Sequence, residues 1–207
     1  MRFVDLFAGL GGFHVALSEL GHNCVFASEI DDELAKLYRR NFRSIADGVH
    51  GDINHAHKLV PEHDVLCAGF PCQPFSKSGA QLGVSDRVRG TLFSRVLDVL
   101  ERRRPRYVIL ENVGNFERHD NGRTWQTVRQ GLEDLGYSVR GTEHKTSGGH
   151  GLISPDDLGY PHRRERFFAV ASLGLLPADP FPRPLLRQPT SLADIAQNNG
   201  DLTPRER

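Results

Sequence analysis

Residues 3–13 read Phe-Val-Asp-Leu-Phe-Ala-Gly-Leu-Gly-Gly-Phe, an apolar run that leads into closely spaced glycines. The run Phe3–Phe7 is typical of a buried strand, and Phe13–Leu20 carries apolar side chains at helical spacing before Gly21, a frequent helix terminator. The glycines between them predict a tight connection in which a ligand can approach the backbone and the helix N-terminus. A connection that binds nothing explains the glycines alone equally well.

The same alternation continues along the chain. Further strands are predicted over Cys24–Ser28, Asp64–Gly69, Tyr107–Leu110, Tyr137–Arg140 and Phe167–Ala171, and helices from Asp31 to Asn41, Thr91 to Arg104 and Thr124 to Leu135. Alternating strands and helices predict an α/β fold with a mostly parallel sheet. Ligands of such sheets bind at the carboxyl ends of the strands, where the glycine loop, Glu29, the turn 71–74 and Glu111 are all expected.

Composition excludes several classes of protein. The chain has 207 residues, of which 38% are hydrophobic, and its 26 Lys and Arg are balanced by 26 Asp and Glu. This composition is typical of a globular protein, and the zero net charge excludes attraction of nucleic acid by overall charge alone. No apolar stretch approaches the roughly 20 residues of a membrane span, and the first residues lack the pattern of a secretory signal. A soluble, cytoplasmic protein is predicted.

The three cysteines differ in their surroundings. Cys24 and Cys67 fall within predicted strands and are expected to be small, buried apolar residues. Cys72 follows a strand end and is flanked by prolines, where a thiol can be exposed and its pKa lowered, as a nucleophile requires. A structural loop cysteine is the alternative. His55 and His57 are interpreted as solvated residues, and no metal site is predicted.

Three acidic residues are expected at or after strand ends. Glu29 is placed to accept hydrogen bonds from a ribose diol. Asp52 follows Gly51 and either contacts an adenine edge or simply closes a turn. Glu111 ends an apolar strand, where a carboxyl group in a partly dry crevice keeps its proton longer and suits acid chemistry. A surface acid at a strand end is the alternative for Glu111.

Five segments together resemble the bacterial type of DNA cytosine-5 methyltransferases. They are Asp5–Phe13, Gly69–Ser76, Arg89–Phe93, Glu111–Val113 and Arg163–Arg166, in the order of that family. The resemblance implies a Rossmann-like fold of the S-adenosylmethionine-dependent methyltransferases, with a mostly parallel sheet and helices on both faces. It also implies an enzyme, a DNA (cytosine-5-)-methyltransferase of a restriction-modification system, which acts on double-stranded DNA.

The resemblance assigns catalytic roles. Cys72 would attack carbon 6 of cytosine through a covalent adduct, Glu111 would hold ring nitrogen N3 and the exocyclic amine, and Arg164 and Arg166 would position the base. Because the base cannot be reached inside a duplex, it would be flipped out, and residues 76–89 would close over it. Carbon 5 would then take the methyl group.

The implied cofactor is S-adenosyl-L-methionine. Positions that match the family's contacts to it are Phe7, Gly9, Gly11, Glu29, Ile30, Asp52, Ile53 and Leu92. Two departures stand out, since Ile30 replaces the aromatic residue that often packs against the adenine, and His162 replaces the glutamine that usually precedes the arginine motif.

The chain is predicted to divide into a catalytic and cofactor-binding domain, residues 1–172, and a proline-rich tail or linker, residues 173–207. Nothing in the tail resembles the family's target-recognition domain or closing motifs. A second polypeptide that carries these motifs is therefore the expected partner, and a truncated chain is the alternative. A transfer RNA cytosine-5 methyltransferase and an inactive cofactor-binding scaffold subunit are the other functions left open.

Overall fold

One sheet of seven strands forms the centre of the molecule, which the computed structural model describes for residues 1–71, 91–143 and 150–182. The strands are β1 (Arg2–Leu6), β2 (Asn23–Ser28), β3 (Val49–His50), β4 (Val65–Ala68), β5 (Tyr107–Val113), β6 (Ser138–Gly141) and β7 (Arg166–Ser172). The α-helices of the described ranges are α1 (Gly12–Glu19), α2 (Asp32–Asn41), α3 (Ile53–Ala56), α4 (Leu92–Arg103) and α5 (Arg123–Asp134).

The strand order is β3-β2-β1-β4-β5-β7-β6. The first five strands pair in parallel, and β7 lies antiparallel between β5 and β6. The direction in which the chain winds reverses between β1 and β4, and open α/β sheets bind ligands in the crevice at such a reversal. The predicted α/β fold with a mostly parallel sheet is confirmed.

The central strands β1 and β4 are buried on both faces of the sheet. Successive side chains of a strand point to opposite faces, and Phe3 and Val4 of β1 accordingly enter different hydrophobic clusters. Phe3 shares its cluster with Tyr38 of α2, whereas Val4 shares its cluster with Val96 and Leu100 of α4. The continuous apolar run of β1 is the sequence pattern that a strand covered on both sides requires.

The boundaries of the longer elements agree closely with the predictions. Asp31 caps α2, since its Oδ1 accepts the N–H groups of Glu33 at 2.9 Å and Leu34 at 3.0 Å. β3 and α3 were not predicted, because two and four residues are too short to show a hydrophobic period. The antiparallel direction of β7 was not predicted either.

Cys24 and Cys67 are buried free thiols, as predicted. The prediction that His57 is solvated is wrong, because its ring is buried and Nδ1 donates to the Ile53 carbonyl at 3.0 Å. Other predictions fall outside the described residues, namely those for Cys72, for the closing loop 76–89 and for residues 183–207 of the tail. Within the described ranges, no helix is long and apolar enough to cross a membrane.

A buried polar network lies beneath the glycine loop. The Tyr38 hydroxyl donates to Oδ2 of Asp5 at 3.2 Å and lies 2.7 Å from Nδ1 of His14. Burial raises the pKa of Asp5 to about 8, although the hydrogen bond from Tyr38 acts in the opposite direction. Asp5 is therefore a neutral acid below about pH 8 in the folded protein.

We expect Asp5→Asn to flatten the dependence of the free energy of unfolding on pH. The folded pKa of Asp5 is about 8, above its ordinary value of 3.8, so the folded state keeps a proton that the unfolded state releases. The free energy of unfolding therefore decreases as the pH rises from the ordinary pKa of 3.8 toward the folded pKa of about 8. Asparagine mimics the neutral acid, so the variant gains stability relative to the wild type as the pH rises. Urea unfolding at several pH values measures this difference, and a constant difference would contradict the expectation.

Candidate active site

The glycine loop after β1 is tied to the end of β2 by Glu29. The N–H of Gly9 donates to Oε2 of Glu29 at 2.7 Å, and the N–H of Asp31 donates to Oε1 at 2.9 Å. Phe7 and Gly9 have φ values of 58° and 54°, which lie in the left-handed region and turn the chain sharply out of β1. Glu29 thus fixes the loop before any ligand is bound.

Gly11 is required by packing. Its φ is 86°, and a Cβ at this position would lie 2.3 Å from the ring of Phe42 and 3.0 Å from the ring of Tyr38. The end of α2 and the residue that follows it can therefore approach the loop only because Gly11 has no side chain. Contact of Gly11 with the cofactor stays a prediction, since the structure places this residue against α2.

A cleft of about 280 Å³ lies where the chain winding reverses. Its lining residues are Phe7, Ser28, Glu29, Ile30, Gly51, Asp52, Ile53, Gly69, Pro71 and Leu92. The structure therefore brings together the predicted cofactor positions Phe7, Glu29, Ile30, Asp52, Ile53 and Leu92. Gly9 and Gly11 lie in the adjoining loop. Ser28, Gly51, Gly69 and Pro71 were missed, although each adjoins a predicted position or motif.

The carboxylate of Glu29 keeps acceptor capacity. Each of its oxygens accepts one backbone N–H, and a carboxylate offers about four acceptor positions. Two positions are therefore available to hydroxyl groups of a ligand. Asp52 lines the cleft, and its Oδ1 also accepts the N–H of Asn54 at 2.9 Å, which caps α3. Its contact with an adenine edge stays a prediction.

Glu111 and Arg166 form an ion pair at the same edge of the sheet. Arg166 begins β7 and pairs with Val113 of β5, and its Nε lies 2.8 Å from Oε1 of Glu111. Burial raises the pKa of Glu111, whereas the positive charges of Arg166 and Arg164 act to lower it. A Cβ on Gly69 would lie 3.3 Å from Oε2 of Glu111, so Gly69 borders both this carboxyl group and the cleft.

Asn112 joins the end of β5 to the segment that leads to Cys72. Its Nδ2 donates to the carbonyl of Phe70 at 2.8 Å, and its Oδ1 accepts the N–H of Val113 at 2.9 Å. Asn112 is buried, so both polar atoms need these partners. Pro71, the last described residue of this segment, lines the cleft. This structural role of Asn112 was not predicted from the sequence.

Residues 1–205 match the family model of the C-5 cytosine-specific DNA methylases. The chain belongs to this family. It is 41% identical to the type II methyltransferase M.HhaI of Haemophilus parahaemolyticus, over 82% of this chain and 48% of that protein. It is 42% identical to the type II methyltransferase M.HpaII of Haemophilus parainfluenzae, over 81% of this chain and 45% of that protein. The chain thus spans about half the length of these curated relatives.

Solved structures show the same fold. The Dnmt2 methyltransferase of S. pombe is 23% identical, with a TM-score of 0.62 over 99% of this chain and 57% of that chain. A prophage-encoded structure from E. coli is 20% identical, with a TM-score of 0.71 over 99% of this chain and 56% of that chain. Family and sheet together confirm the predicted Rossmann-like fold. Among the described residues, no group of three or more His, Cys, Asp and Glu is arranged to hold a metal ion.

Proposed function

We propose that this C-5 cytosine-specific DNA methylase transfers a methyl group from S-adenosylmethionine to carbon 5 of cytosine in duplex DNA, as the modification enzyme of a restriction-modification system. One observation carries the proposal. The Glu111–Arg166 pair and the cleft meet at Gly69, so a base held by Glu111 lies beside the cleft. The similarity to type II methyltransferases supports the substrate and the biological setting.

The lining of the cleft fits S-adenosylmethionine. The free acceptor positions of Glu29 suit the two hydroxyl groups of a ribose, and Phe7, Ile30 and Leu92 offer apolar contact to a flat base. When bound, this cofactor supplies an electrophilic methyl group on a sulfonium. Glu29, Phe7, Ile30 and Leu92 would hold its nucleoside part, in a cleft that borders the edge of the sheet that carries Glu111.

The proposed reaction begins at Cys72. Carbon 5 of cytosine is a poor nucleophile, and a bond from the Cys72 sulfur to carbon 6 converts the ring to an enamine. Protonated Glu111 donates to N3, which takes up the electron pair displaced by this attack, and burial of the carboxyl group favours the protonated form. Carbon 5 then forms a bond to the methyl group, and the sulfonium sulfur keeps the electron pair of the broken bond and leaves as a neutral thioether. Loss of the carbon-5 proton to water restores the 5,6 double bond as the sulfur–carbon bond to Cys72 breaks, which regenerates the Cys72 thiolate. N3 returns its proton to Glu111.

Arg166 has a separate role in this proposal. Its bond to Oε1 of Glu111 holds one carboxyl oxygen and leaves Oε2, on the side of Gly69, for the base. The side chain of Arg164 is exposed and adds positive charge near the carboxyl group. Arg166 therefore orients the acid, and both arginines limit how far burial raises its pKa.

The test is transfer of tritium from labelled S-adenosylmethionine to unmethylated duplex DNA. Mass spectrometry of the digested DNA should identify 5-methylcytosine as the product. Transfer RNA is the parallel substrate, and incorporation into transfer RNA alone would overturn the proposed substrate. Binding of the cofactor without transfer to either nucleic acid, in the presence of the partner polypeptide proposed below, would favour the scaffold subunit.

Recognition of a target sequence is a further part of the proposal. The two relatives are about twice as long as the matched region, and reading of base edges needs an element placed in a DNA groove. We propose that a second polypeptide supplies this element. Methyl transfer by this chain alone, and with the product of the adjacent reading frame, tests the idea. Robust sequence-specific activity of the chain alone would overturn it.

Glu29→Gln is expected to weaken the affinity for S-adenosylmethionine by about tenfold or more. Glutamine turns an N–H donor toward either Gly9 or Asp31, each of which now donates to the carboxylate, so one of these two hydrogen bonds is lost. Isothermal titration calorimetry measures the affinity. Glu33→Gln is the matched control, because Glu33 is exposed on α2 and pairs with Lys36. Equal affinities of the two variants would contradict the expectation.

A further inference from the structure

Ser154 makes backbone contacts at both ends of one loop. It precedes a short 3-10 segment, Pro155–Leu158, and is 3% exposed. Its hydroxyl oxygen accepts the N–H of Asp157 in a capping box and also the N–H of Arg164 at 2.9 Å. One buried side chain thus joins the start of the loop to its end.

The contacts that follow along the chain connect this loop to the Glu111–Arg166 ion pair. Ile153 and Arg166 exchange two backbone hydrogen bonds, at 3.0 Å and 2.9 Å. Arg166 then reaches Glu111 through its side chain at 2.8 Å. The side chain of Arg164 is exposed, so the backbone bond to Ser154 is the contact that holds this residue in the loop.

We propose that Ser154 is a positioning residue for the Glu111–Arg166 pair. It holds the backbone of Arg164 and thereby fixes the register in which the chain enters β7. A shift of register by one residue turns every side chain of a strand to the opposite face, which for Arg166 means away from Glu111. A catalytic role for the Glu111–Arg166 pair rests on the proposed function, whereas the geometry of the pair is independent of that function.

A serine that only caps the 3-10 segment would affect stability alone, so the experiment needs a matched control. Ser172, at the other end of β7, is 2% exposed, and its hydroxyl oxygen accepts the N–H of Gly174 at 3.0 Å. Ser172→Ala removes the same kind of hydrogen bond without touching the entrance to β7. Ser154→Thr keeps the acceptor oxygen, and Ser154→Cys keeps the size with a much weaker acceptor.

The decisive measurement is the NMR titration of the Glu111 carboxyl carbon in the 207-residue chain, with Glu111→Gln to assign the signal. Within the described residues, Arg166 and Arg164 are the charged groups that act on this carboxyl group, and both lower its pKa. We expect Ser154→Ala and Ser154→Cys to raise the pKa of Glu111 above the wild-type value. Ser154→Thr and Ser172→Ala should leave it unchanged.

Two results would overturn the proposal: a wild-type titration of Glu111 in Ser154→Cys, or an equal upward shift in Ser172→Ala. If Ser154→Ala does not fold, the titration of Glu111 in Ser154→Cys tests the proposal. In methyl transfer to duplex DNA, kcat of Ser154→Ala should fall about tenfold with little change in cofactor affinity. The titration needs no turnover, so absence of transferase activity in the wild-type chain together with its partner polypeptide would refute the proposed function while the titration still decides the role of Ser154.

Discussion

Cys72→Ser is expected to lower the rate of methyl transfer by about four orders of magnitude or more. A serine hydroxyl is almost wholly protonated at neutral pH and is a far weaker nucleophile than a thiolate, so the attack on carbon 6 fails. Affinity for S-adenosylmethionine should stay close to the wild-type value, because the proposed role is covalent chemistry. Single-turnover transfer to duplex DNA by the complete enzyme measures the rate. Turnover near the wild-type rate would refute the covalent mechanism.

Cys67→Ser is the control for this substitution. Cys67 is fully buried on β4, so a hydroxyl group there enters an apolar environment and destabilises the fold. The melting temperature should therefore fall in Cys67→Ser and stay nearly unchanged in Cys72→Ser. An unchanged melting temperature for Cys67→Ser would count against the packing of β4 described here.

Glu111→Gln should lower kcat by about two to three orders of magnitude. The amide cannot give up a proton to N3, and Arg166 loses its carboxylate partner. Stability should change little, because the substitution also removes a partly buried charge. The same transfer assay, at saturating cofactor, measures the effect.

Glu165→Gln is the matched control for the Glu111 substitution. Glu165 directly precedes Arg166, is exposed and pairs with Arg163. This variant should keep kcat within about twofold, as surface ion pairs contribute little. A similar loss in both variants would mean that the effect reflects general charge near the arginines, and that Glu111 has no special role.

Local pattern predicted the edge of the sheet at which the cleft lies, whereas the family resemblance named the positions that line it. Phe7, Glu29 and Leu92 each stand beside a strand end or helix start that the hydrophobic period marks, and parallel strands carry such ends to one edge. The motif Glu111–Val113 was placed at this edge for the same reason. Six of the predicted cofactor positions line one cleft. Their location follows from where the strands end and the helices begin, and does not depend on how individual side chains pack.

Contacts between residues that are far apart in the sequence could not be predicted from the sequence. The need for glycine at position 11 comes from Phe42, and the role of Asn112 comes from the carbonyl of Phe70. The apolar run of β7 does not reveal its direction, because parallel and antiparallel strands bury similar side chains. Ser154 carries no motif, and its function arises only when the loop returns to the sheet.

Among the strands that the structure describes, β7 comes last in chain order, yet it lies between β5 and β6. Among the described strands β6 pairs with β7 alone, so β6 cannot join the sheet until the ribosome has made its neighbour. The lining of the cleft, by contrast, comes from residues 7–92. Contacts between sequence-distant segments must first offset the entropy of closing long loops, so we expect a nascent chain to form the lining of the cleft first. The Glu111–Arg166 pair closes only as synthesis passes β7.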